Sequence, residues 1–288
     1  QQNPVISPAI VSASGDYTLR ATSLAGCINT SVANVTVTQA PQINTNGSDT
    51  QKCEGDNLQL NANSNTANVN FSWNGPNGFF SNQQNPQITS ITPAASGVYA
   101  LSVSYGPCTV NAATQAVTIH PLPTGTIISN SPVCETKRLT YQAQSPNNIV
   151  TYLWQIPNGF PQQTFSAQRD TSKLNYSGNY TLTLTDNHTC RSVIIASLHV
   201  LPNPSITVVG DTVCYTSPAE VSATGADSYM WYNATGVFST NDKAVITSAN
   251  FTTATIYTVV AKSANTCTTL ATATVMTRPL PIPSIAVQ

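Results

Sequence analysis

The feature that most constrains this chain is an internal repeat of 77 to 82 residues. Trp73, Trp154 and Trp231 are 81 and 77 residues apart. Two sets of cysteines and one set of tyrosines follow the same period: Cys53, Cys134 and Cys214; Cys27, Cys108, Cys190 and Cys267; Tyr17, Tyr99, Tyr180 and Tyr257. Because four independent markers share one period, the sequence predicts a tandem array of one structural unit.

Proline-rich segments predict where the repeats end. Tetrapeptides with two prolines each, which fix φ and cannot donate to a sheet ladder, occur at 120–123, 201–204 and 278–281. They predict three complete immunoglobulin-like repeats, at residues 41–123, 124–204 and 205–281. Residues 1–40 resemble the C-terminal half of a repeat, and residues 282–288 resemble the first strand of a further one. We therefore expect a segment of a longer array.

Composition predicts an all-β protein with a largely uncharged surface. Charged residues make up 7% of the chain, against about 25% in an ordinary soluble domain, and the net charge is -1. This excludes the basic patch that nucleic acid or an anionic membrane surface requires. No apolar run reaches the roughly 18 residues of a membrane span. Thr, Val, Ile and Tyr suit a pleated strand and are plentiful, whereas the helix formers Met, Lys and Glu are scarce.

Strand signals in the repeat at 124–204 predict an immunoglobulin-like β-sandwich. Apolar or alternating runs predict strands at 126–129, 139–143, 151–155, 179–185 and 193–200, with one or two more before residue 175. Trp154 lies on the third strand, where that fold places its core tryptophan. The Gly-x-Tyr before the penultimate strand resembles the tyrosine corner of the fold, although Tyr257 lacks the preceding glycine.

The fold class that follows is all-β, with tandem immunoglobulin-like β-sandwich domains in an extended head-to-tail array. We expect a structural core built from the residues that mark the repeat: Trp73, Trp154, Trp231, Tyr17, Tyr99, Tyr180 and Tyr257.

The cysteines predict disulfides, with two alternatives for the pairing. Each complete repeat has one cysteine just before its second strand and one just after its penultimate strand. Pairing within each repeat would give Cys53–Cys108, Cys134–Cys190 and Cys214–Cys267. In a plain immunoglobulin topology, however, the two positions lie at opposite ends of the sandwich, roughly 20–30 Å apart. A disulfide needs Cα atoms within about 7 Å.

Pairing between repeats removes this conflict. In a head-to-tail array, the end of one repeat that carries the first cysteine faces the end of the next repeat that carries the second. This geometry favours Cys53–Cys190 and Cys134–Cys267. Cys27, Cys108 and Cys214 would then pair with repeats outside this sequence. Free buried cysteines are the third alternative.

Candidate catalytic and metal-binding residues are few. Residues 186–190, Asp-Asn-His-Thr-Cys, offer metal ligands, but the equivalent turns of the other repeats lack His, which favours an ordinary hairpin turn. Glu54 and Asp56 offer carboxylates for calcium, with ordinary surface carboxylates as the favoured alternative. His120 and His199 have no evident nucleophile partner, and no nucleophile elbow, phosphate loop or zinc-protease motif is present. We expect no enzyme activity, no metal and no cofactor.

Aromatic residues in the turn after the third strand provide a second function class. Phe79, Phe80 and Phe160 would stack on a sugar if they point to solvent, whereas folding back onto the sandwich is the favoured alternative. The second class is thus a carbohydrate-binding or spacer module attached to a secreted enzyme outside this sequence.

Each complete repeat carries a Cys, apolar strand residues, an aromatic-x-Trp, a Tyr-x-aliphatic and a second Cys in that order. In the first two complete repeats the motif residues are Cys53, Glu54, Gly55, Leu58, Leu60, Phe71, Trp73, Gly97, Tyr99, Leu101, Val103 and Cys108, then Cys134, Tyr152, Trp154, Gly178, Tyr180, Leu182 and Cys190. This motif resembles the immunoglobulin-like and PKD-like tandem repeats of very large Bacteroidota surface proteins. The best-known members are gliding-motility adhesins of the SprB type, exported by the type IX secretion system.

The resemblance implies a structural role as a stalk or filament segment of a cell-surface adhesin, in surface attachment or gliding. The implied location is extracellular, at the cell surface. The implied partners are neighbouring repeats of the same chain, surface polysaccharide and other cell-surface proteins, with no nucleic acid and no membrane insertion. Asp211-Thr212-Val213 is also similar to the O-glycosylation signal of that phylum, which makes Thr212 a candidate acceptor.

Overall fold

The structure is a computed structural model that describes residues 3–145 and 149–284. Those residues form β-strands joined by turns and by single-turn 3-10 helices at Val11–Ala13, Pro76–Gly78, Pro93–Ala95 and Leu174–Tyr176. No α-helix occurs in the described part of the chain. The prediction of an all-β protein is therefore confirmed. Of the strand predicted at 282–288, residues 285–288 lie outside the described residues.

The chain divides into two compact units, which do not coincide with single repeats. One unit consists of Gln1–Pro123 together with Asn187–Cys190, and the other of Thr124–Asp186 together with Arg191–Gln288. The short segment Asn187–Cys190 is the tip of a hairpin that belongs to the third repeat by sequence. The repeat boundaries inferred above therefore stay a prediction.

The second repeat, at 41–123, contains ten short strands among its described residues. They are β3 (Ile43–Asn44), β4 (Gln51–Cys53), β5 (Leu58–Gln59), β6 (Asn63–Ser64), β7 (Asn70–Asn74), β8 (Phe80–Ser81), β9 (Gln87–Ile88), β10 (Ala100–Tyr105), β11 (Cys108–Ala113) and β12 (Thr118–His120). One sheet has the order β11–β10–β7–β8, and β12 pairs in parallel with β4. The antiparallel pairs β3–β6 and β5–β9 supply the facing layer.

The third repeat, at 124–204, shows the sandwich order most plainly. Its strands are β13 (Thr126–Ser129), β14 (Val133–Cys134), β15 (Leu139–Gln144), β16 (Ile149–Gln155), β17 (Ser166–Arg169), β18 (Gly178–Asp186), β19 (Arg191–Leu198) and β20 (Val200–Leu201). One sheet is β13–β15–β17, the other is β16–β18–β19, and β14 pairs in parallel with β20. The strand predicted at 193–200 is interrupted at His199, because there the chain leaves its antiparallel partner β18 and joins β14.

The fourth repeat, at 205–281, has the same order with a continuous last strand. Its strands are β21 (Thr207–Val209), β22 (Asp211–Cys214), β23 (Ala219–Thr224), β24 (Ser228–Asn233), β25 (Gly236–Ser239), β26 (Lys243–Ile246), β27 (Thr255–Lys262) and β28 (Thr268–Arg278). One sheet is β21–β23–β26 and the other is β22–β28–β27–β24–β25. Two facing sheets with this strand order form an immunoglobulin-like sandwich, so the chain contains tandem β-sandwiches.

Each complete repeat has its own hydrophobic core around one tryptophan. Trp73, Trp154 and Trp231 are fully buried. Their indole Nε1 atoms donate hydrogen bonds to the backbone oxygens of Gln84 at 3.2 Å, Thr164 at 2.8 Å and Asn241 at 3.1 Å, respectively. The aliphatic residue two positions after the repeat tyrosine lies opposite each tryptophan across the sheet: Leu101, Leu182 and Val259. Aliphatic packing thus occupies the place where antibody domains have a disulfide.

A hydrogen bond from the repeat tyrosine fixes the turn before its strand in three of the four repeats. The hydroxyl donates to the backbone oxygen four residues earlier, from Tyr17 at 2.7 Å, Tyr99 at 2.8 Å and Tyr180 at 3.1 Å. The preceding glycine has a positive φ, which is 142° at Gly178 and favours a residue without Cβ. Among the described residues, Tyr257 has no such bond, and its ring packs against Phe238 at 5.4 Å between ring centroids.

The first hairpin contradicts the prediction that Tyr17 is a core residue. Strands β1 (Gly15–Thr22) and β2 (Ile28–Val35) pair in antiparallel register, as the equivalent strands of the complete repeats do. Tyr17 is nevertheless 41% exposed and Leu19 is 63% exposed, whereas Tyr99 is fully buried. The expectation that Tyr17 lies in a core is wrong for this chain, because no second sheet covers the hairpin among the described residues.

The third repeat has a partly buried arginine beside its core. Arg169 lies opposite Leu139 in the register, where the other complete repeats place Ile88 and Ile246. Its Nη2 donates to the oxygen of Pro157 at 3.0 Å, and its Cζ lies 3.9 Å from the centroid of the Tyr176 ring. A guanidinium over an aromatic face is attracted by the ring electrons, and here that contact replaces aliphatic packing.

Candidate functional site

The parallel strand pairs place the first cysteine of each repeat beside the linker. In β4–β12, β14–β20 and β22–β28 the register sets Cys53 opposite His120, Cys134 opposite Leu201 and Cys214 opposite Arg278. The sequence did not indicate these pairs, because strands of two to four residues have no detectable period and their partners are distant in the chain. Each pair holds a cysteine at the same end of the sandwich as the following linker.

The turn after each of these cysteines is also repeated. In the second repeat the Cys53 oxygen accepts from the Asp56 nitrogen at 3.1 Å, and the Cys53 nitrogen donates to the Asp56 carboxylate at 3.0 Å. Gly55 adopts φ of 87°, which this turn type requires and glycine supplies without strain. Asp56 therefore caps its own turn, the ordinary alternative to the calcium ligand considered above.

The second cysteine of each repeat lies at the tip of the last hairpin. In the fourth repeat the Ser263 nitrogen donates to the Cys267 oxygen at 2.9 Å, and the Thr266 nitrogen donates to the Ser263 oxygen at 2.9 Å. This closes a short turn that presents Cys267 at the edge of β28. Cys190 and Cys267 are buried, 1% and 0% exposed, although the three residues before each of them in the tip are exposed.

Two disulfides join these tips to the cysteines of the preceding repeats. Cys53 is bonded to Cys190 and Cys134 to Cys267, each with Cα atoms 5.5 Å apart and with sequence separations of 137 and 133 residues. Each bond lies inside one compact unit, since Cys190 belongs to the unit that contains Cys53. These are the two pairs that the sequence geometry favours, and the structure contains neither Cys53–Cys108 nor Cys134–Cys190.

Three cysteines are not bonded to one another. Cys27 and Cys214 are exposed, and Cys108 is partly buried with its sulfur 3.5 Å from the Thr38 oxygen. The expectation that they pair with repeats outside this sequence stays a prediction.

Beside the first disulfide lies a contact that the sequence analysis missed. The rings of His120 and His188 stack with centroids 3.6 Å apart and an interplanar angle of 13°. His120 ends β12, and His188 lies in the hairpin tip, so 68 residues separate them and no local pattern reveals the contact. Within residues 3–145 and 149–284, no three His, Cys, Asp or Glu side chains group closely enough to hold a metal ion.

The three phenylalanines considered for sugar binding differ in their exposure to solvent. Phe79 folds inward, and its ring meets the Tyr99 ring edge-on at 5.5 Å between centroids. Phe80 is 59% exposed and Phe160 is 90% exposed. Thr212, the candidate glycosylation acceptor, lies on β22 with an exposed side chain.

Burial changes the acidity of the core tyrosines. Desolvation raises the pKa of Tyr99 and of Tyr257 above the ordinary value of 10.0. It also raises the pKa of Tyr141 and Tyr180, and in both cases the nearby charge of Arg169 opposes part of that increase. These hydroxyls are core groups that stay protonated at neutral pH, and they offer no acid–base chemistry there.

One part of the chain matches a known domain family. Residues 120–200 match the family of PKD-like domains. This range overlaps most of the predicted third repeat, 124–204, whose two sheets and buried Trp154 are described above. The chain is thus a tandem repeat of β-sandwiches that resemble immunoglobulin-like and PKD-like domains. No curated protein sequence matches the chain.

Solved structures with several immunoglobulin domains are also similar to the chain. An I-band fragment of titin is 12% identical, with 84% of this chain and 100% of that chain covered and a TM-score of 0.43. Immunoglobulin domains 1–5 of Sidekick-1 are 15% identical, with 94% of this chain and 68% of that chain covered and a TM-score of 0.32. The sandwich fold itself follows from the strand order and register.

Domains of this kind are typical of adhesion proteins and of structural extracellular modules, and they are typically not catalytic. Disulfides between repeats fit an extracellular or secreted protein, because such bonds persist in oxidising compartments. In the described part of the chain, no helix has the length and apolar character that a membrane crossing needs.

Proposed function

We propose that the chain is a structural stalk or filament segment of a repetitive bacterial cell-surface adhesin. The observation that carries the proposal is the pair of disulfides that join successive repeats. A chain of autonomous domains needs no covalent bond between neighbours for folding. Bonds between neighbours restrain the motion of one domain against the next, and that restraint serves a protein that transmits force.

The two disulfides overlap in sequence, and this overlap shortens the covalent path through the chain. The loop closed by Cys53–Cys190 contains Cys134, and the loop closed by Cys134–Cys267 contains Cys190. A pull on both termini therefore follows residues 1–53, crosses to 190, runs back to 134, crosses to 267 and ends at 288. Fewer than half of the 288 residues lie on this path. Most residues of the cores around Trp73 and Trp231 lie off it, so tension cannot fully extend those two repeats.

Single-molecule pulling on the 288-residue chain tests this role. An extended chain spans about 3.3–3.6 Å per residue, so reduction of the disulfides should raise the final extension about twofold. A Cys214→Ser variant is the matched control, because Cys214 takes part in neither bond, and it should behave as the parent does. Equal final extension before and after reduction would contradict the proposal.

A finer assignment rests on the sequence motif and on the PKD-like match of the third repeat. It is a gliding-motility or attachment adhesin of the SprB type, exported by the type IX system and displayed on a Bacteroidota cell surface. Its partners would be neighbouring repeats, surface polysaccharide and other cell-surface proteins. Antibodies against the chain should label intact cells, and labelling only after lysis would contradict surface display.

The exposure of Phe160 favours one second candidate, a carbohydrate-binding module. A phenylalanine that is 90% exposed provides a face on which a sugar ring can stack. Phe79 packs inward and is unsuited to that role. If the second candidate is correct, glycan binding by the chain should be lost in Phe160→Ala and kept in Ile256→Ala, an exposed control at 63%. The absence of glycan binding by the parent chain would exclude it.

A further inference from the structure

The outer face of the sheet β13–β15–β17 in the third repeat contains a cavity of about 530 Å³. That volume lies within the range of small-ligand sites. Among the described residues, no charged side chain lines the cavity. The lining combines amides and hydroxyls with an aliphatic side chain, from Asn130, Thr140, Gln142, Ser166, Gln168 and Ile128. The cavity therefore presents neutral polar groups beside an apolar patch.

The strand register explains why these side chains share one face. Gln142 of β15 lies opposite Ile128 of β13 on one side and opposite Ser166 of β17 on the other. Thr140, two positions earlier and therefore on the same face, lies opposite Gln168. Neighbouring strands are about 4.8 Å apart, so the row across three strands is about 10 Å long. The sheet thus holds these groups at a fixed spacing.

The polar groups at the middle of the cavity are available to a ligand. Gln142 and Ser166 are exposed, and neither side chain has a hydrogen-bond partner within the described residues. Asn130 differs, because its side chain accepts from the Thr140 nitrogen at 2.8 Å and donates to the Arg138 oxygen at 3.0 Å, which fixes one end of the cavity. An amide and a hydroxyl each donate and accept. Such groups match ligand hydroxyls, which also do both.

The charged side chains beside the cavity are paired or lie on the other face of the sheet. Arg138 Nε lies 3.0 Å from Asp170 Oδ1. Arg169 lies on the opposite face of β17 and donates to the Pro157 oxygen at 3.0 Å. In the described part of this face, a charged ligand would meet no unpaired opposite charge, and the cost of removing its hydration would stay uncompensated. The face therefore suits a neutral ligand.

The equivalent face of the fourth repeat carries an ion pair instead. In the register, Glu220 takes the place of Thr140, and Lys243 takes the place of Ser166. Lys243 Nζ donates to the Glu220 carboxylate at 2.9 Å. The third repeat has a hydroxyl at each of these two positions. One strand frame thus accommodates either an ion pair or a set of neutral groups.

We propose that the outer face of β13–β15–β17 binds a neutral oligosaccharide. Gln142 and Ser166 bond to its hydroxyls, and Ile128, which is 42% exposed, contacts the C–H face of a sugar ring. An extended peptide would instead add to a strand edge through backbone bonds, whereas this cavity presents side chains on the face of a sheet. The inference goes beyond the proposed stalk. It also differs from the second candidate, because Phe160 is not among the described residues that line the cavity.

The test measures binding of cellopentaose, xylopentaose and mannopentaose to the oxidised 288-residue chain by chemical-shift perturbation of backbone amides. The perturbed amides should lie on β15 and β17. The Kd should be the same between about 0.02 and 0.5 M salt, since salt screens interactions between charges. A galacturonate pentasaccharide and a Thr-rich peptide are comparison probes. Binding of either in place of the neutral sugars, or no binding by the parent chain, would overturn the inference.

Two variants and a matched control locate the site. Gln142→Ala should weaken binding about tenfold, which corresponds to about 1.4 kcal/mol of lost hydrogen bonding. Gln155→Ala is the control, an exposed glutamine on β16 in the other sheet, and should keep the parent Kd. Thr140→Glu with Ser166→Lys introduces the ion pair of the fourth repeat and should abolish binding. Unchanged binding in these two variants would contradict the proposed site.

The remaining outcomes separate this site from the other proposals. The Cys134–Cys267 peptide and the fluorescence of buried Trp154 report whether each variant is folded. If the double variant does not fold, Gln142→Ala decides, because that side chain is exposed and unbonded among the described residues. Binding that is lost in Phe160→Ala and kept in Gln142→Ala would support the second candidate and overturn this one. The stalk role is tested separately by pulling, so either proposal can fail alone.

Discussion

The third and fourth repeats have the same strand order but are stabilised by different interactions. Both bury a tryptophan opposite an aliphatic residue and hold a cysteine at a parallel strand pair. The third repeat adds a hydroxyl bond from Tyr180 and an arginine over the Tyr176 ring. Among the residues that the structure describes, the fourth has neither, and its last strand, β28, continues without interruption over Thr268–Arg278.

The comparison distinguishes features that every complete repeat has from features that differ between repeats. Every complete repeat has the buried tryptophan and the cysteine on a parallel strand pair. We infer that the tryptophan defines the fold and that the cysteine defines the place of the disulfide between repeats. The tyrosine bond and the core arginine vary. The fourth repeat has a longer parallel ladder instead, because β28 continues past its partner β27 and pairs Val275–Arg278 with Asp211–Cys214 of β22. The third repeat pairs only Val133 and Cys134 with Val200 and Leu201.

The largest expected loss of stability comes from replacing the buried tryptophan that both repeats share. Trp154→Ala and Trp231→Ala should each destabilise their own repeat by about 3–5 kcal/mol, because both remove a fully buried indole and leave a cavity. Hydrogen exchange followed by mass spectrometry measures protection of β18 in one variant and of β27 in the other. A loss in one repeat without a similar loss in the other would break the comparison.

A smaller effect should separate the two tyrosines. Tyr180→Phe removes the hydroxyl bond to the Tyr176 oxygen and should cost about 1 kcal/mol, a typical net value for one hydrogen bond. Tyr257→Phe is the matched control, since no bond from its hydroxyl occurs among the described residues, and should have little effect. Chemical denaturation measures both, and equal costs would show that the fourth repeat has a tyrosine anchor as well.

The smallest expected effect is a loss of stability at alkaline pH. Desolvation raises the pKa of Tyr141 and Tyr180 in the third repeat and of Tyr257 in the fourth. Below pH 10 the folded and unfolded chains both hold these protons, and the contribution to stability is complete. As pH rises through 10, the unfolded chain loses them first, so stability falls.

The third repeat should therefore lose more stability above pH 10 than the fourth. Variants that keep only Trp154 or only Trp231 as the fluorescent reporter allow the two repeats to be followed separately in denaturant. Tyr141→Phe should reduce the alkaline loss in the third repeat. Greater alkaline sensitivity of the fourth repeat would contradict this explanation.

Local patterns were enough to predict most strands of the third repeat. The run at 126–129 gave β13 at its observed bounds, and the alternation at 179–185 gave β18 within one residue at each end. The two-residue strand β14 was missed, because its parallel partner, β20, lies more than sixty residues away in the chain. Tyr17 was misplaced for a related reason, since its burial depends on a second sheet that no local pattern can supply.

Some features of the site could be predicted from the sequence, whereas others depend on contacts between distant residues. The two cysteine pairs followed from the repeat period and the known shape of a sandwich, so sequence reasoning could favour them. Arg169 lies between Gln168 and Asp170 and has the appearance of an exposed charge in the sequence. Only the register of β15 with β17 places it opposite the core residue Leu139. The His120–His188 stack likewise depends on a distant contact.

The central claim is that disulfides join successive repeats, and peptide mapping of the oxidised chain under non-reducing conditions tests it most directly. The account predicts one peptide pair that contains Cys53 with Cys190 and another that contains Cys134 with Cys267. Peptides that link Cys53 to Cys108 and Cys134 to Cys190 would contradict it.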